Sequence, residues 1–359
     1  MTRRVRTENP QADQWRILAQ YSYEPNIRRY LASRGHTSPT SADIEYIAGS
    51  LRQGEAYFRA VQTAPLDISP LLAYYGAVNL LSGTVAMLLG SRPEIKKSHG
   101  MELVQPLVGP RIADVQVRPL SGKGALPVLA GILDPGSPPV AGVPWSMEEI
   151  LASIPDVKTE FVACFPTIPP LTLAVEIFKA EGITAERIPL TEFGQGVDPA
   201  ARLAQIPNFT SAYLRPQFVH NNAVLRYKLG ADQIGTYSIS GQKYLQIGLT
   251  KSRRTIAPNQ EVLMLMGLFA LGFLSRYQPD HWNPFVQRDD TGERLVIEKF
   301  LAVALRYLPN LAVNAILGDR LQFVYEAERD PGSVIVATDA DLKRRIRDEA
   351  LAVFRELKP

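Results

Sequence analysis

The sequence predicts a mainly helical α+β protein: a helical bundle whose core is supplied by the N- and C-terminal regions, with an inserted mixed region containing short strands. Three observations carry this. Two long runs, Leu71–Gly90 and Val262–Leu274, hold no charged residue. Around them apolar residues recur at helical spacing, and between 106 and 257 prolines and glycines cut the chain into short β-branched and aromatic pieces. Segments apolar on every side need cover all round, and packing the two against each other supplies it. The expected divisions are an N-terminal helical half at 1–105, a mixed insertion at 106–257, a C-terminal helical half at 258–325 and a tail strand and helix at 326–359.

Taken in order, helices are expected from Asp13 or Gln14 through WRILAQY and over SADIEYIAGSLRQGEAYFRAV, with Ser41 as the cap of the second. Pro70 opens the third, because its fixed φ and missing N–H cost little in a first helical turn. In the mixed region, IADVQVRP and GALPVLAGIL read as two strands joined by SGKG, WSMEEILASI as a short helix after Pro144, and FVACF, SAYLRPQFV and TYSISGQKYLQIGL as strands. Helical texture returns in NQEVLMLMGLFALGFLSRY and in GERLVIEKFLAVALRYLPNLAVNAIL. A tail helix follows, with Asp339 or Asp341 as its cap and a basic patch at Lys343, Arg344, Arg345 and Arg347.

Composition narrows the function. The 359 residues are 46% hydrophobic and 21% charged, with net charge +3 and mean hydropathy −0.05, as expected of a folded globular chain rather than a disordered or fibrous one. A charge this balanced does not by itself imply a polyanion partner. The single cysteine, Cys164, cannot form an internal disulfide, and its apolar FVACF context reads as buried packing. Four isolated histidines without HExxH or i,i+4 pairing predict no metal, and no glycine loop has the spacing of a nucleotide cradle, so no cofactor is expected. His220-Asn221-Asn222 reads as a turn. The basic start MTRRVRTENPQADQW leads into polar residues, not an apolar signal core, and the 71–90 run carries Tyr74, Tyr75, Asn79, Ser82 and Thr84. A cytoplasmic protein with no membrane span is therefore expected.

The segments PLLAYYGAVNLL (Pro70–Leu81), His99-Gly100, FLSRYQPDHW (Phe273–Trp282) and LPNLAVNAIL (Leu308–Leu317), in that order and spacing, resemble the YaaC-like family of bacterial proteins over residues 10 to 325. That resemblance implies a soluble bacterial protein but no reaction. The stretch AYYGAVNLLSGTVAMLLGSRPEIKKSHG is similar in texture to HEPN domains, helical modules many of which are metal-independent ribonucleases marked by Arg, four to six residues, then His. Here Arg92 is followed by six residues and His99. The likeness implies His99 as general acid or base, Arg92 as phosphate ligand, and a composite site in a homodimer. Pro93 departs from the motif and draws Arg92 out of helical geometry.

Arg276, at the end of the second apolar run, is a second candidate cation, and with Tyr75 and Asn79 it makes up the candidate binding residues. The alternative for His99 and Gly100 is structural: a helix C-terminus with a left-handed glycine cap. Two functions stay open, a non-catalytic helical scaffold or regulatory protein of bacterial defence or stress that binds a protein partner, and a HEPN-like ribonuclease or RNA-binding protein.

Overall fold

The computed structural model describes residues 2–324 apart from 37, 106, 108–110, 135–140, 181, 182, 195, 249–259 and 290. The expected tail strand and helix at 326–359 lie outside the described residues. Strand β1 (Thr2–Arg6) precedes helices α1 (Pro10–Ala19) and α2 (Glu24–Ser33). Asn9 caps α1 by accepting from the Ala12 amide at 3.0 Å, so this helix starts before the expected Asp13 or Gln14. Thr40, not Ser41, caps α3 (Ser41–Val61) in a capping box with Asp43: Thr40 Oγ1 accepts from the Asp43 amide at 3.1 Å and Asp43 Oδ2 accepts from the Thr40 amide at 3.2 Å. Helix α4 (Ser69–Leu89) opens on Pro70 as expected and stops at Gly90, whose φ is 69°.

Helices α3 and α4 run antiparallel and nearly touch along their backbones. A Cβ on Gly54 would lie 3.0 Å from the Leu80 backbone, and one on Gly76 would lie 2.6 Å from Phe58 Cδ2. Helix α4 also meets the second apolar run, in helix α10 (Gln260–Tyr277), again antiparallel: Gly272 lies against Leu71, and the rings of Tyr74 and Phe269 are 5.7 Å apart. The two uncharged segments thus form the centre of the bundle, and Leu80, Leu81, Val85, Met87, Leu263, Met266, Leu268 and Leu271 are all buried.

The mixed region departs from expectation in several places. A three-stranded antiparallel sheet of order β2-β3-β4 joins β2 (Met101–Leu103), β3 (Gln116–Pro119) and β4 (Trp145–Ser146), and IADVQVRP begins with a 3-10 turn over Ile112–Asp114 before β3 starts. GALPVLAGIL is helix α5 (Ala125–Leu133), not the second strand of a hairpin. Ala125, Leu126 and Leu129 bury together on one helical face, a spacing that an alternating strand cannot bury. WSMEEILASI yields α6 (Met147–Ala152), with a Ser146/Glu149 capping box. FVACF lies mostly in helix α7 (Lys158–Cys164): Phe161 turns in while Val162 is 41% exposed, so the short apolar run misled by content alone. Cys164 is not fully buried; its Sγ donates to the Gly292 carbonyl at 3.3 Å.

Residues 172–257 form a compact unit of their own, whereas 9–171 and 258–323 form the other. The smaller unit holds β5 (Thr172–Ala180), β6 (Ile183–Pro189), α8 (Pro199–Leu203), α9 (Phe209–Ala212), β7 (Gln217–Val219), β8 (Asn222–Leu225), β9 (Thr236–Tyr237) and β10 (Lys243–Gln246). Its sheet runs β7-β8-β6-β5-β10-β9, antiparallel at every described pairing. SAYLRPQFV is part helix α9 and only part strand, because Phe209 and Ala212 bury one helical turn apart. TYSISGQKYLQIGL supplies the β9–β10 hairpin. His220 and Asn221 make the expected turn, both at positive φ (46° and 60°), between β7 and β8. Inside this unit the Lys243 ammonium, 3% exposed, bonds Glu186 Oε1 and the Tyr227 hydroxyl, both at 2.6 Å, and Tyr213 donates to Glu186 Oε2 at 2.5 Å.

Helices α10 (Gln260–Tyr277), α11 (Pro279–Arg288) and α12 (Arg294–Leu317), then β11 (Arg320–Val324) paired with β1, complete the described chain. The chain bends by 102° between α10 and α11, at Pro279. Two described helices, α4 and α12, are long and apolar enough to cross a bilayer by length and composition, and 67% of that window in α4 is buried against the rest of the protein.

Candidate functional site

Because α4 and α10 are antiparallel, the C-terminal end of α10 lies beside the N-terminal end of α4. Tyr74 on α4 therefore meets Phe269 on α10, and Tyr75 meets Arg276, with Phe273 and Tyr277 following Phe269 along α10. The three aromatic residues recur every four positions, one helical face, and their rings stack in sequence at 6.0 Å and 4.9 Å. The segment after α4 brings His99 to the same end, with its imidazole 5.3 Å from the Tyr74 ring and 5.4 Å from Phe269.

His99 is held from two sides. Its carbonyl accepts from the Leu126 amide at 3.0 Å and the Ser98 carbonyl from the Ala125 amide at 3.0 Å, so two otherwise unpaired N–H groups at the start of α5 fix this turn of backbone. The fit leaves no room for side chains: a Cβ on Gly124 would lie 2.3 Å from Gly100 Cα, and Gly100 itself sits at φ 72°. Gly100 is therefore a left-handed glycine as expected, but in a loop entering β2. The helix ended ten residues before His99, at Leu89, so His99 is not at a helix C-terminus.

Tyr74 is 3% exposed and its hydroxyl lies 2.8 Å from His99 Nδ1. Burial, with a smaller push from Tyr75, holds the Tyr74 phenol well above its ordinary pKa. A protonated phenol can donate to Nδ1, and in that tautomer Nε2–H is left as the donor on the other side of the ring. Partial desolvation against its neighbours, and then the charge of Arg276, push the solvent-accessible His99 below its ordinary pKa, keeping the imidazole neutral at pH 7.

Arg276 is exposed. Its Nη1 donates to the Tyr75 hydroxyl at 2.9 Å and its guanidinium lies 4.8 Å from the Tyr277 ring centre. Among the described residues no carboxylate comes within ion-pair distance of it. The structure thus brings His99, Arg276 and Tyr75 into one cluster. Asn79 stays on α4, its amide donating to the Tyr75 carbonyl at 2.8 Å.

Arg92 is elsewhere. Its guanidinium lies 4.7 Å from the Tyr46 ring centre and its amide donates to Asp43 Oδ1 at 3.0 Å, both at the start of α3. The Thr40 hydroxyl and then the Arg92 amide hold the Asp43 carboxyl below its ordinary pKa. The α3–α4 register sets Tyr46 beside the Leu88 turn of α4, about 21 Å along the axis from Tyr74 at 1.5 Å per residue. Within one chain, Arg92 and His99 are not partners: Pro93 and the helix stop at Gly90 separate them. Tyr277 lies on the polar and aromatic rim expected at the end of the second apolar run, whereas Tyr74 and Phe269 are site residues that the sequence signals only through the YY pair and the four-residue aromatic spacing.

Among the described residues no three His, Cys, Asp or Glu side chains gather as a metal site. The features define a mainly helical protein whose two most apolar helices present a cation, a neutral imidazole and aromatic rings at one end. A model of the YaaC-like proteins matches residues 12–316, and the chain belongs to that family. No curated protein and no solved structure matches it.

Proposed function

We propose that this YaaC-like protein binds single-stranded RNA without cutting it, seating a phosphate between Arg276 and His99 Nε2–H and stacking a base on the exposed Tyr277 ring beside them. The observation that carries the reading is Arg276, a cation with no carboxylate partner among the described residues, aimed by the Tyr75 hydroxyl and the Tyr277 ring. Arginine suits a phosphate because its planar donors match the anion's oxygens, and base–aromatic stacking tolerates any sequence. With the Tyr74 hydroxyl donating to Nδ1, Nε2–H is a donor to an anion and not a base for a ribose hydroxyl, and Arg92, the cation that the HEPN likeness implies, lies at the far end of α4. Both points favour binding over cleavage.

Fluorescence anisotropy with a labelled RNA of about 12 nucleotides tests this. Arg276→Ala should weaken binding by at least about tenfold, since a hydrogen bond to a charged group contributes about 1.5–3 kcal/mol. Equal affinity of wild type and variant overturns the site, and metal-free cleavage lost in His99→Ala overturns the non-catalytic half.

A further inference from the structure

Residues 91–99 travel back along α4, from its C-terminal end to Tyr74 near its start. The stretch from Arg92 to His99 is therefore laid out over about 21 Å, close to the roughly 24 Å that seven extended residues can span. Arg92, Lys96, Lys97 and His99 are all exposed on it. Three acidic residues along it are engaged: Glu94 pairs with Lys123, Glu102 with Arg118 at 2.7 Å, and Asp43, at the Arg92 end, accepts from the Thr40 and Arg92 amides. Neither Lys96 nor Lys97 has a carboxylate partner among the described residues. An aromatic ring marks each end, Tyr46 under Arg92 and Tyr277 under Arg276. Lys96 is also held in place through its backbone, its amide donating to the Lys123 carbonyl at 2.7 Å.

We infer that Arg92, Lys96, Lys97 and Arg276 form one track that follows the backbone of a single strand across several successive phosphates, with Tyr46 and Tyr277 offering a stacking platform at either end. The inference rests on the RNA-binding reading and deepens it: Arg92, which does not meet His99, becomes the far end of the same surface. A flexible strand can follow a line of cations interleaved with aromatics, whereas a mononucleotide fills only the Arg276 end and a stiff duplex hides its bases from both rings.

The test uses the full-length protein and the salt dependence of affinity for labelled single-stranded RNA between about 50 and 200 mM salt. Each neutralised phosphate adds about −0.7 to the slope of log K against log salt for a single strand, so four cations give about −3. Arg92→Gln/Lys96→Gln/Lys97→Gln should reduce the slope to about −1 and weaken binding most at low salt, with an unchanged circular-dichroism melt. The wild type should also bind a longer RNA at least tenfold more tightly than a dinucleotide, and more tightly than a duplex of equal length. If the triple variant keeps the wild-type slope while Arg276→Ala loses binding, the track is wrong and the single-phosphate site stands. If a dinucleotide binds as well as the longer strand, the track is likewise overturned. If the wild type binds no RNA, both readings fall.

Discussion

His99 shows how a short contact list sets a chemical state. Desolvation and the nearby Arg276 both disfavour the imidazolium, so the folded pKa lies below the unfolded value of about 6.5. The sign follows. As pH falls through that unfolded value the unfolded chain binds the proton first, so His99's contribution to stability, fully present above it, is lost as pH falls through the folded pKa. Arg276→Gln should raise the His99 pKa towards 6.5 in an NMR titration; an unmoved value would show that the guanidinium does not face the ring. Tyr74→Phe removes the hydroxyl that holds Nδ1. It should cost about 1 kcal/mol of stability and weaken RNA binding, because Nε2 is then free to lose its hydrogen. Of these residues only His99, Arg276 and Tyr75 were legible as candidates. The HEPN likeness pairs Arg92 with His99 through their spacing, and spacing cannot register a left-handed stop at Gly90.

Helices α3 and α4 depend on absent side chains. Alanine is the better helix former by about 0.8–1 kcal/mol, yet Gly54→Ala should lower the melting temperature, since its Cβ meets the Leu80 backbone at 3.0 Å and backbone cannot swing aside. A rise in melting temperature would mean that the two helices part easily. The long helices were readable because periodicity over twenty residues leaves little choice. α5 and α7 were misread because five to ten apolar residues suit strand or helix equally, and what decides is which face meets neighbours far along the chain: Leu126 and Leu129 in one case, Phe161 in the other. β5 went unnoticed for the related reason that Glu176 and Lys179 interrupt its apolar pattern while its register with β6 and β10 is set by pairing.

Considered as a whole molecule, the chain puts its electrostatic stake in the smaller unit. Burial alone would push the Lys243 ammonium down, but its bonds to Glu186 and Tyr227 outweigh this and raise its pKa; burial and the bond to Glu186 raise Tyr213 as well. Groups whose folded pKa values are raised stabilise below their unfolded values, about 10 for tyrosine and 10.4 for lysine, and lose that contribution as pH climbs through the folded ones. Lys243→Met leaves Glu186 buried without its cation and should cost about 3–5 kcal/mol, seen as faster hydrogen exchange in β5, β6 and β10; unchanged exchange there would contradict the pairing. The bundle of the larger unit has a different dependence. Tyr75 and Arg276 stand 201 residues apart in sequence and share one hydrogen bond. During synthesis a ribosome must therefore finish most of the polypeptide before that bond can close. Until then the nascent chain has a tyrosine waiting without its arginine, and any affinity that needs both is withheld from unfinished copies.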